Sequence, residues 1–333
     1  MIANILKKKK YLNCLYMKHS LHFFYDEIMA CCTNIPGFIL LPDYNGEKID
    51  WDYVYKKRKD KIKQINSFFN KQEIPECCKG CCEVGSFLQD RPVEPFENRI
   101  DKLYFHNNMS CNAKCVYCTY EYLGRGYKYK VLPLVKDLIN KKILDICAHI
   151  YMSGGEITIS PEFEELLSLL LGHVYSRIEI LTSGIKYCKS IERAFVENKC
   201  ELMISLDSSD RDVYKKIKRV DCFDKVVDNI KSYIKASDNA KNGITLKYII
   251  VDGINDNIEE IEKFVKLVSS LEIMKIRLDF DYEKYKFTGN IPLPKHYFEL
   301  YDKFNELALK DGLDIQKCDQ IEAILNKNKN FYA

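Results

Sequence analysis

Followed along its apolar positions, the chain changes character near residue 95. From about residue 100 onward, short runs rich in β-branched and aromatic residues alternate with stretches of helical spacing. Six runs read as strands: 100–106, 148–153, 177–182, 201–207, 244–251 and 274–281. Between them, Phe163, Leu166, Leu167, Leu170 and Leu171 recur at helical spacing, behind Ser160 as N-cap and Pro161 as first helical residue. Ile258, Ile261, Phe264, Val265, Val268 and Leu271 repeat that spacing. In the last strand Ile276, Leu278 and Phe280 alternate with Lys275, Arg277, Asp279 and Asp281, giving one apolar and one polar face. Strand, helix, strand in succession predicts an α/β fold whose parallel sheet has right-handed crossovers.

Each predicted strand ends in polar or glycine-rich residues: 107–118, 153–156, 182–184, 205–208, 252–255 and 279–281. In a parallel α/β barrel or part-barrel, sites are built at the C-terminal strand ends. After the last strand, Phe298, Tyr301, Phe304 and Leu307 fall at three-residue steps and predict helices. The run 90–95, with prolines at 92 and 95, reads as a linker.

Charge adds little. Lys and Arg total 51 against 48 Asp and Glu, a net charge of +3, so nothing in it calls for nucleic acid or a membrane as partner. The run Lys7 to Lys10 reads as a solvated N-terminal arm. No apolar run approaches the ~18 residues of a membrane span, and the N-terminus lacks a signal peptide's apolar block. A cytoplasmic protein is the expectation. Its 15 cysteines then point to metal or redox work, because that compartment disfavours disulfides.

The densest chemistry is Cys111-Asn-Ala-Lys-Cys115-Val-Tyr-Cys118. Soft thiolates this close suit an iron–sulfur cluster or zinc. Three ligands leave one iron of a cube open to a small molecule's amino and carboxylate groups. Structural zinc wants four closed ligands, and His106 is a candidate fourth.

The spacing C-x3-C-x2-C after a first strand, with Tyr117 just before the last cysteine, resembles the radical S-adenosylmethionine superfamily over residues 98–285. The resemblance implies a partial (βα)6 TIM-like barrel across 96–285, with a small cysteine-rich domain over 1–95 and closing helices over 286–333. It implies a [4Fe–4S] cluster on Cys111, Cys115 and Cys118, and S-adenosylmethionine reductively cleaved to a 5′-deoxyadenosyl radical that takes hydrogen from a substrate. Ser153-Gly154-Gly155-Glu156, about 38 residues after the triad, is similar to the family's motif for the methionine amino group. Ser183 stands where a residue faces the cofactor's ribose. Ser205 and Asp207 resemble the ribose-binding pair. Asn255 falls in the segment that cradles adenine, where it equally suits a helix cap. Arg277 or Asp279, on the polar face of the last strand, is expected to touch cofactor or substrate, with Lys247 a weaker candidate.

Upstream, Cys78-Lys-Gly-Cys81 and the pair Cys31-Cys32 are similar to the auxiliary-cluster segments called SPASM or twitch, here placed before the barrel. Cys14 precedes the pair by a short hairpin, His19 to Ile28. Cys14, Cys32, Cys78 and Cys81 are the expected ligands of a second iron–sulfur cluster, with Cys31, Cys77 and Cys82 as substitutes. A zinc knuckle accounts for the same residues. Cys147, Cys188, Cys200, Cys222 and Cys318 read as ordinary thiols.

The expected function is therefore that of a radical S-adenosylmethionine enzyme. By family analogy a peptide or protein substrate is favoured, with carbohydrates and other small molecules as alternatives. A flavodoxin or ferredoxin is the expected electron donor. From another class, a zinc-stabilised binding protein without catalysis remains the competing reading.

Overall fold

The computed structural model describes residues 14–31, 39–42, 50–78, 98–118, 129–281, 284, 292–317, 321–322 and 324–326. Lys7 to Lys10, Cys32, Cys81, Cys82, Cys318 and the 90–95 linker lie outside them, as does the side chain of Cys77. The chain divides into two compact units: residues 1–108, 126–151 and 172–176, and residues 109–125, 152–171 and 177–333.

The first unit holds α1 (Leu15–His19), β1 (Ser20–Phe23), β2 (Ile28–Met29), β3 (Ile39–Leu41), α2 (Trp51–Asn70), β4 (Ile100–Phe105), α3 (Leu132–Asn140) and β5 (Leu144–Met152). Its strands run in the order β5-β4-β1-β2-β3. The expected hairpin is β1–β2, antiparallel and closed by the Phe24 N–H on the Glu27 carbonyl at 2.8 Å. The parallel pairing of β1 with β4, Ser20 opposite Lys102 through Phe23 opposite Phe105, was not legible. All four β1 residues are buried, so no two-residue alternation marks it as a strand. Helix α2 opens with the Asp50 carboxylate accepting the Tyr53 N–H at 3.0 Å and buries a stripe from Trp51 through Val54, Arg58, Ile62 and Ile65 to Phe69.

The second unit holds α4 (Phe163–His173), β6 (Ile178–Thr182), α5 (Lys189–Val196), β7 (Cys200–Ser205), α6 (Arg211–Lys218), α7 (Phe223–Ala236), α8 (Asn239–Gly243), β8 (Ile244–Ile250), α9 (Ile258–Ser270), β9 (Lys275–Phe280), α10 (His296–Lys310) and β10 (Asp314–Ile315). Its strands lie in the order β10-β9-β8-β7-β6 and every adjacent pair is parallel. In register across the sheet, Ser205 faces Lys247 and Lys247 faces Arg277.

The fold class is the expected one: α/β, with the parallel strand–helix alternation of a partial barrel. The six predicted strands are β4 to β9. Strand β5 begins at Leu144, earlier than predicted, because Ile146 and Cys147 in its first half are exposed and interrupt the alternation. The apolar spacing of α4 and α9 is buried as expected. Helix α4 starts at Phe163, past Ser160 and Pro161. Helix α10 buries Tyr297, Leu300, Phe304 and Ala308, so its stripe follows 3.6-residue spacing and not the three-residue steps read from the sequence. Among the described residues no helix is long and apolar enough to cross a membrane.

Candidate functional site

The three cysteines sit on a loop of the second unit that is fastened at both ends. The N–H groups of Lys114 and Val116 donate to the carbonyls of Lys218 and Ile217 at 3.0 and 2.9 Å. These are C-terminal carbonyls of α6, which have no acceptor role within their own helix. At the other end the Glu156 N–H donates to the Ser110 carbonyl at 2.8 Å. Gly155 is required there. A Cβ at that position would lie 2.5 Å from the Ser110 carbonyl oxygen. Gly154 has φ +119, a backbone that side chains disfavour. The glycines therefore seat the β5 turn directly on the cysteine loop.

Cys111, Cys115 and Cys118 are each half-buried and unoxidised. They line an open cleft of about 730 Å³, solvent at its mouth included, with Gly154, Gly155 and Glu156 on the same lining. Burial first, and then the nearby Glu156, Cys115 and Cys118, push the Cys111 thiol up to about 11, against the opposing Ala113 N–H. A Cys111 thiolate at neutral pH thus needs positive charge brought by what it binds. Among the described residues no three ligating side chains converge on a single-ion position. Zinc gathers its ligands around one ion, whereas in a cube each cysteine holds a different iron.

Glu156 is buried, and among the described residues hydroxyls and backbone N–H groups bond its carboxylate. Oε1 accepts from the Thr158 N–H at 3.2 Å, the Thr158 hydroxyl at 2.6 Å and the Thr182 hydroxyl at 2.7 Å; Oε2 accepts from the Ser183 N–H at 2.6 Å. The Ser183 hydroxyl in turn donates to Asn112 Oδ1 at 3.1 Å, tying β6 to the cysteine loop. The orientation of the carboxylate is therefore set before any ligand arrives.

Asp207 is placed differently. It lies past the end of β7 at φ +63, a left-handed backbone that Asp tolerates better than most residues, and it is fully buried. Its Oδ2 takes the Lys218 ammonium and the Tyr117 hydroxyl, the latter at 2.5 Å. Its Oδ1 accepts the Ile249 N–H at 3.0 Å. Asn255 is also fully buried, with Nδ2 on the carbonyls of Asp207 and Ile249 at 2.8 and 2.9 Å and Oδ1 accepting the Val251 N–H at 2.7 Å. Asn255 knits strand ends together; the cap of α9 is Asn257, whose side chain accepts the Glu260 N–H.

The cleft lining thus holds Gly154, Gly155, Glu156, Ser183 and Ser205 with the three cysteines, while Asp207, Asn255 and Arg277 are not part of it. Arg277 Nε donates to Asp279 Oδ1 at 2.9 Å. Lys247 does line the cleft, with Nζ 3.7 Å from Asp279 Oδ2, and burial pulls its pKa below the usual lysine value. Lys218, also on the lining, was missed. A signal for it existed: Tyr214, Ile217 and Lys218 fall at i, i+3 and i+4, the buried stripe of α6.

In the first unit Cys14, Cys31 and Cys78 are buried, Cys78 at the end of a short 3₁₀ turn and Cys14 with its sulfur 3.5 Å from the Met17 N–H. Their expected partners Cys32 and Cys81 lie outside the described residues. His106 packs between Phe24 and Tyr151, and burial pushes its pKa down to about 4.

Comparison with known proteins adds three findings. A family model described as the radical SAM superfamily matches residues 109–268. The chain is 24% identical over 220 residues to a probable GTP 3′,8-cyclase of Pyrococcus horikoshii, covering 66% of this chain and 69% of that one. It is 27% identical over 190 residues to the probable GTP 3′,8-cyclase of Saccharolobus solfataricus, covering 56% and 58%. It spans little more than half of this second relative. Among solved structures, Streptococcus suis SuiB bound to its precursor peptide SuiA superposes with a TM-score of 0.54 at 12% identity, covering 85% of this chain and 58% of that one. At that identity the likeness is one of fold.

Proposed function

Because this chain belongs, through residues 109–268, to the radical S-adenosylmethionine superfamily and is an enzyme of that class, we propose that its cleft is the radical-forming site. The class uses a [4Fe–4S] cluster and S-adenosylmethionine. The residues present fit both. Cys111, Cys115 and Cys118 would hold the cluster, and Glu156 would take the methionine ammonium. Bound together, these cofactors supply a 5′-deoxyadenosyl radical that removes a hydrogen atom from the substrate.

What the chain contributes is position. Thr158, Thr182 and the Ser183 N–H fix the Glu156 carboxylate toward one ammonium geometry. Gly155 brings that carboxylate's turn onto the cysteine loop. Ser183 and Ser205 offer hydroxyls to the ribose from the ends of β6 and β7. Asp207 and Asn255 act one step back, by tying the turn that follows Ser205 to the end of β8.

The observation that carries this reading is that three cysteines of one loop and a pre-oriented buried carboxylate open on a single cleft. The test is anaerobic reconstitution, with ~4 irons and ~4 sulfides per chain from the cleft. Dithionite should then release 5′-deoxyadenosine from S-adenosylmethionine, and Cys115→Ala should abolish that release. Full retention in the variant would exclude the triad as the site. Zinc without iron would favour a zinc-stabilised binding protein.

A second iron–sulfur cluster on Cys14, Cys32, Cys78 and Cys81 is part of the proposal, supported by the burial of Cys14 and Cys78 within one unit. It raises the expected iron to ~8 per chain. The substrate is taken to be a peptide or protein side chain, and the electron donor a flavodoxin or ferredoxin. A nucleotide substrate is the second reading, favoured by the names of the curated relatives. GTP consumed with the reconstituted enzyme, while peptides are left untouched, would select it.

A further inference from the structure

We propose that Lys218 is a positioning residue for the cysteine loop: anchored on Asp207 and Tyr117, its ammonium holds a positive charge on the cleft lining that the three cysteines share and sets the reduction potential of the iron–sulfur group there. The inference rests on the cluster reading above and adds a residue to it.

The geometry comes from three elements. Lys218 is the last residue of α6, Asp207 follows β7, and Tyr117 lies between Cys115 and Cys118. The Lys218 ammonium pairs with Asp207 Oδ2 and donates to the Tyr117 hydroxyl at 2.8 Å. It also lies 5.3 Å from the centre of the Tyr117 ring. Both charged side chains are almost wholly buried. One residue of this group is thus inside the cysteine motif, and another lines the same cleft as its sulfurs.

A buried ion pair is weak evidence for stability, since apolar residues of similar volume often do as well. Here the pair is oriented. Asp207 has Oδ1 on the Ile249 N–H of β8, and Lys218 lines the cleft that the cysteines also line. Burial disfavours the ammonium, yet the Asp207 carboxylate opposes that and the Lys218 pKa stays above the usual lysine value. Net charge near a cluster is one of the levers on its potential. A fixed cation stabilises the reduced, more negative form and moves the potential upward. The Asp207 carboxylate is not on the cleft lining, so it offsets that charge only in part. The Lys114 and Val116 N–H bonds to the last carbonyls of α6 keep the loop at a fixed distance from that charge.

The experiment uses the full chain, reconstituted anaerobically, with potentials read by EPR-monitored redox titration. Lys218→Met with Asp207→Asn removes both charges together, so no uncompensated buried ion is left. Lys218→Arg keeps the charge. The double variant is expected to hold its iron with a potential shifted negative of wild type, and Lys218→Arg to restore the wild-type value. An unchanged potential in the loaded double variant overturns the proposal. If the double variant holds no iron, Lys218→Arg decides: normal loading supports the charge requirement, and failure of both overturns it. A wild-type chain that takes up no iron sinks the cluster reading itself, an outcome visible before any variant is compared.

Discussion

Two carboxylates at strand ends of the second unit, Glu156 and Asp207, invite the same reading from sequence and have opposite fates in the structure. Both are buried to about 1% exposure or less, which in an apolar interior demands partners. Among the described residues Glu156 accepts from two hydroxyls and two backbone N–H groups. It also lines the cleft. Asp207 is satisfied by an ammonium, a phenol and one N–H, so its charge is cancelled inside the protein. Hydrogen bonds to neutral donors pre-orient a charge, whereas an ion pair consumes it. Whether a buried carboxylate serves a ligand is therefore decided by the kind of partner it has, and that information is remote in sequence. Lys218 follows Asp207 by 11 residues, and Thr182 follows Glu156 by 26.

The sharpest way to break the contrast is Asp207→Ala. It leaves the Lys218 ammonium buried without its counter-ion and removes the acceptor of the Tyr117 hydroxyl and the Ile249 N–H. Losing one partner of a buried pair costs about 3–5 kcal/mol. Urea unfolding under anaerobic conditions should show that loss as a lower midpoint with an unchanged slope. A variant as stable as wild type would mean that the Asp207–Lys218 pair does not form.

For Glu156→Gln the balance reverses. Whichever way the amide turns, its NH₂ meets a backbone donor, either the Ser183 N–H or the Thr158 N–H, while the threonine hydroxyls can turn to accept, so one hydrogen bond is lost and two donors oppose each other. That costs about 1–3 kcal/mol of stability. The larger change falls on the ligand. A charge-assisted hydrogen bond to an ammonium is worth about 1.5–3 kcal/mol, so affinity for S-adenosylmethionine should drop roughly 10- to 150-fold. Isothermal titration of the reconstituted protein reads this directly. Undiminished affinity would remove Glu156 from the cofactor site.

The same contrast marks how far the sequence could be read. The strands from β4 to β9 were legible because their apolar residues alternate or run in short blocks, and the cysteine loop because its chemistry is compressed into positions 111–118. Gly155 was legible as a place of close approach, but not what approaches: the neighbour is the Ser110 carbonyl. Ser205 and Asp207 share one face on a strand drawn through 207. The strand ends at Ser205 and the backbone turns to positive φ at Asp207, so the two side chains part. Positive φ at a non-glycine residue leaves no mark in the pattern. Lys218 was hidden by composition, since lysines at 215 and 216 make α6 look like a solvated helix. The parallel pairing of β1 with β4 depends on residues far apart in the chain and on a strand too short to show a period.

Ser205 gives the smallest effect and the cleanest separation. It is half-buried on the cleft lining, and among the described residues its hydroxyl makes no hydrogen bond. Ser205→Ala should therefore change stability by no more than about 0.5 kcal/mol, as a substitution that breaks nothing. If the hydroxyl meets a ribose oxygen of the bound cofactor, its loss weakens binding by about 0.5–1.5 kcal/mol, roughly two- to tenfold. Asp207→Asn, measured the same way, should lose stability while binding S-adenosylmethionine within about twofold of wild type, since its side chain is outside the cleft. An unchanged affinity in Ser205→Ala together with a weakened one in Asp207→Asn would invert the assignment and return the ribose contact to the buried carboxylate.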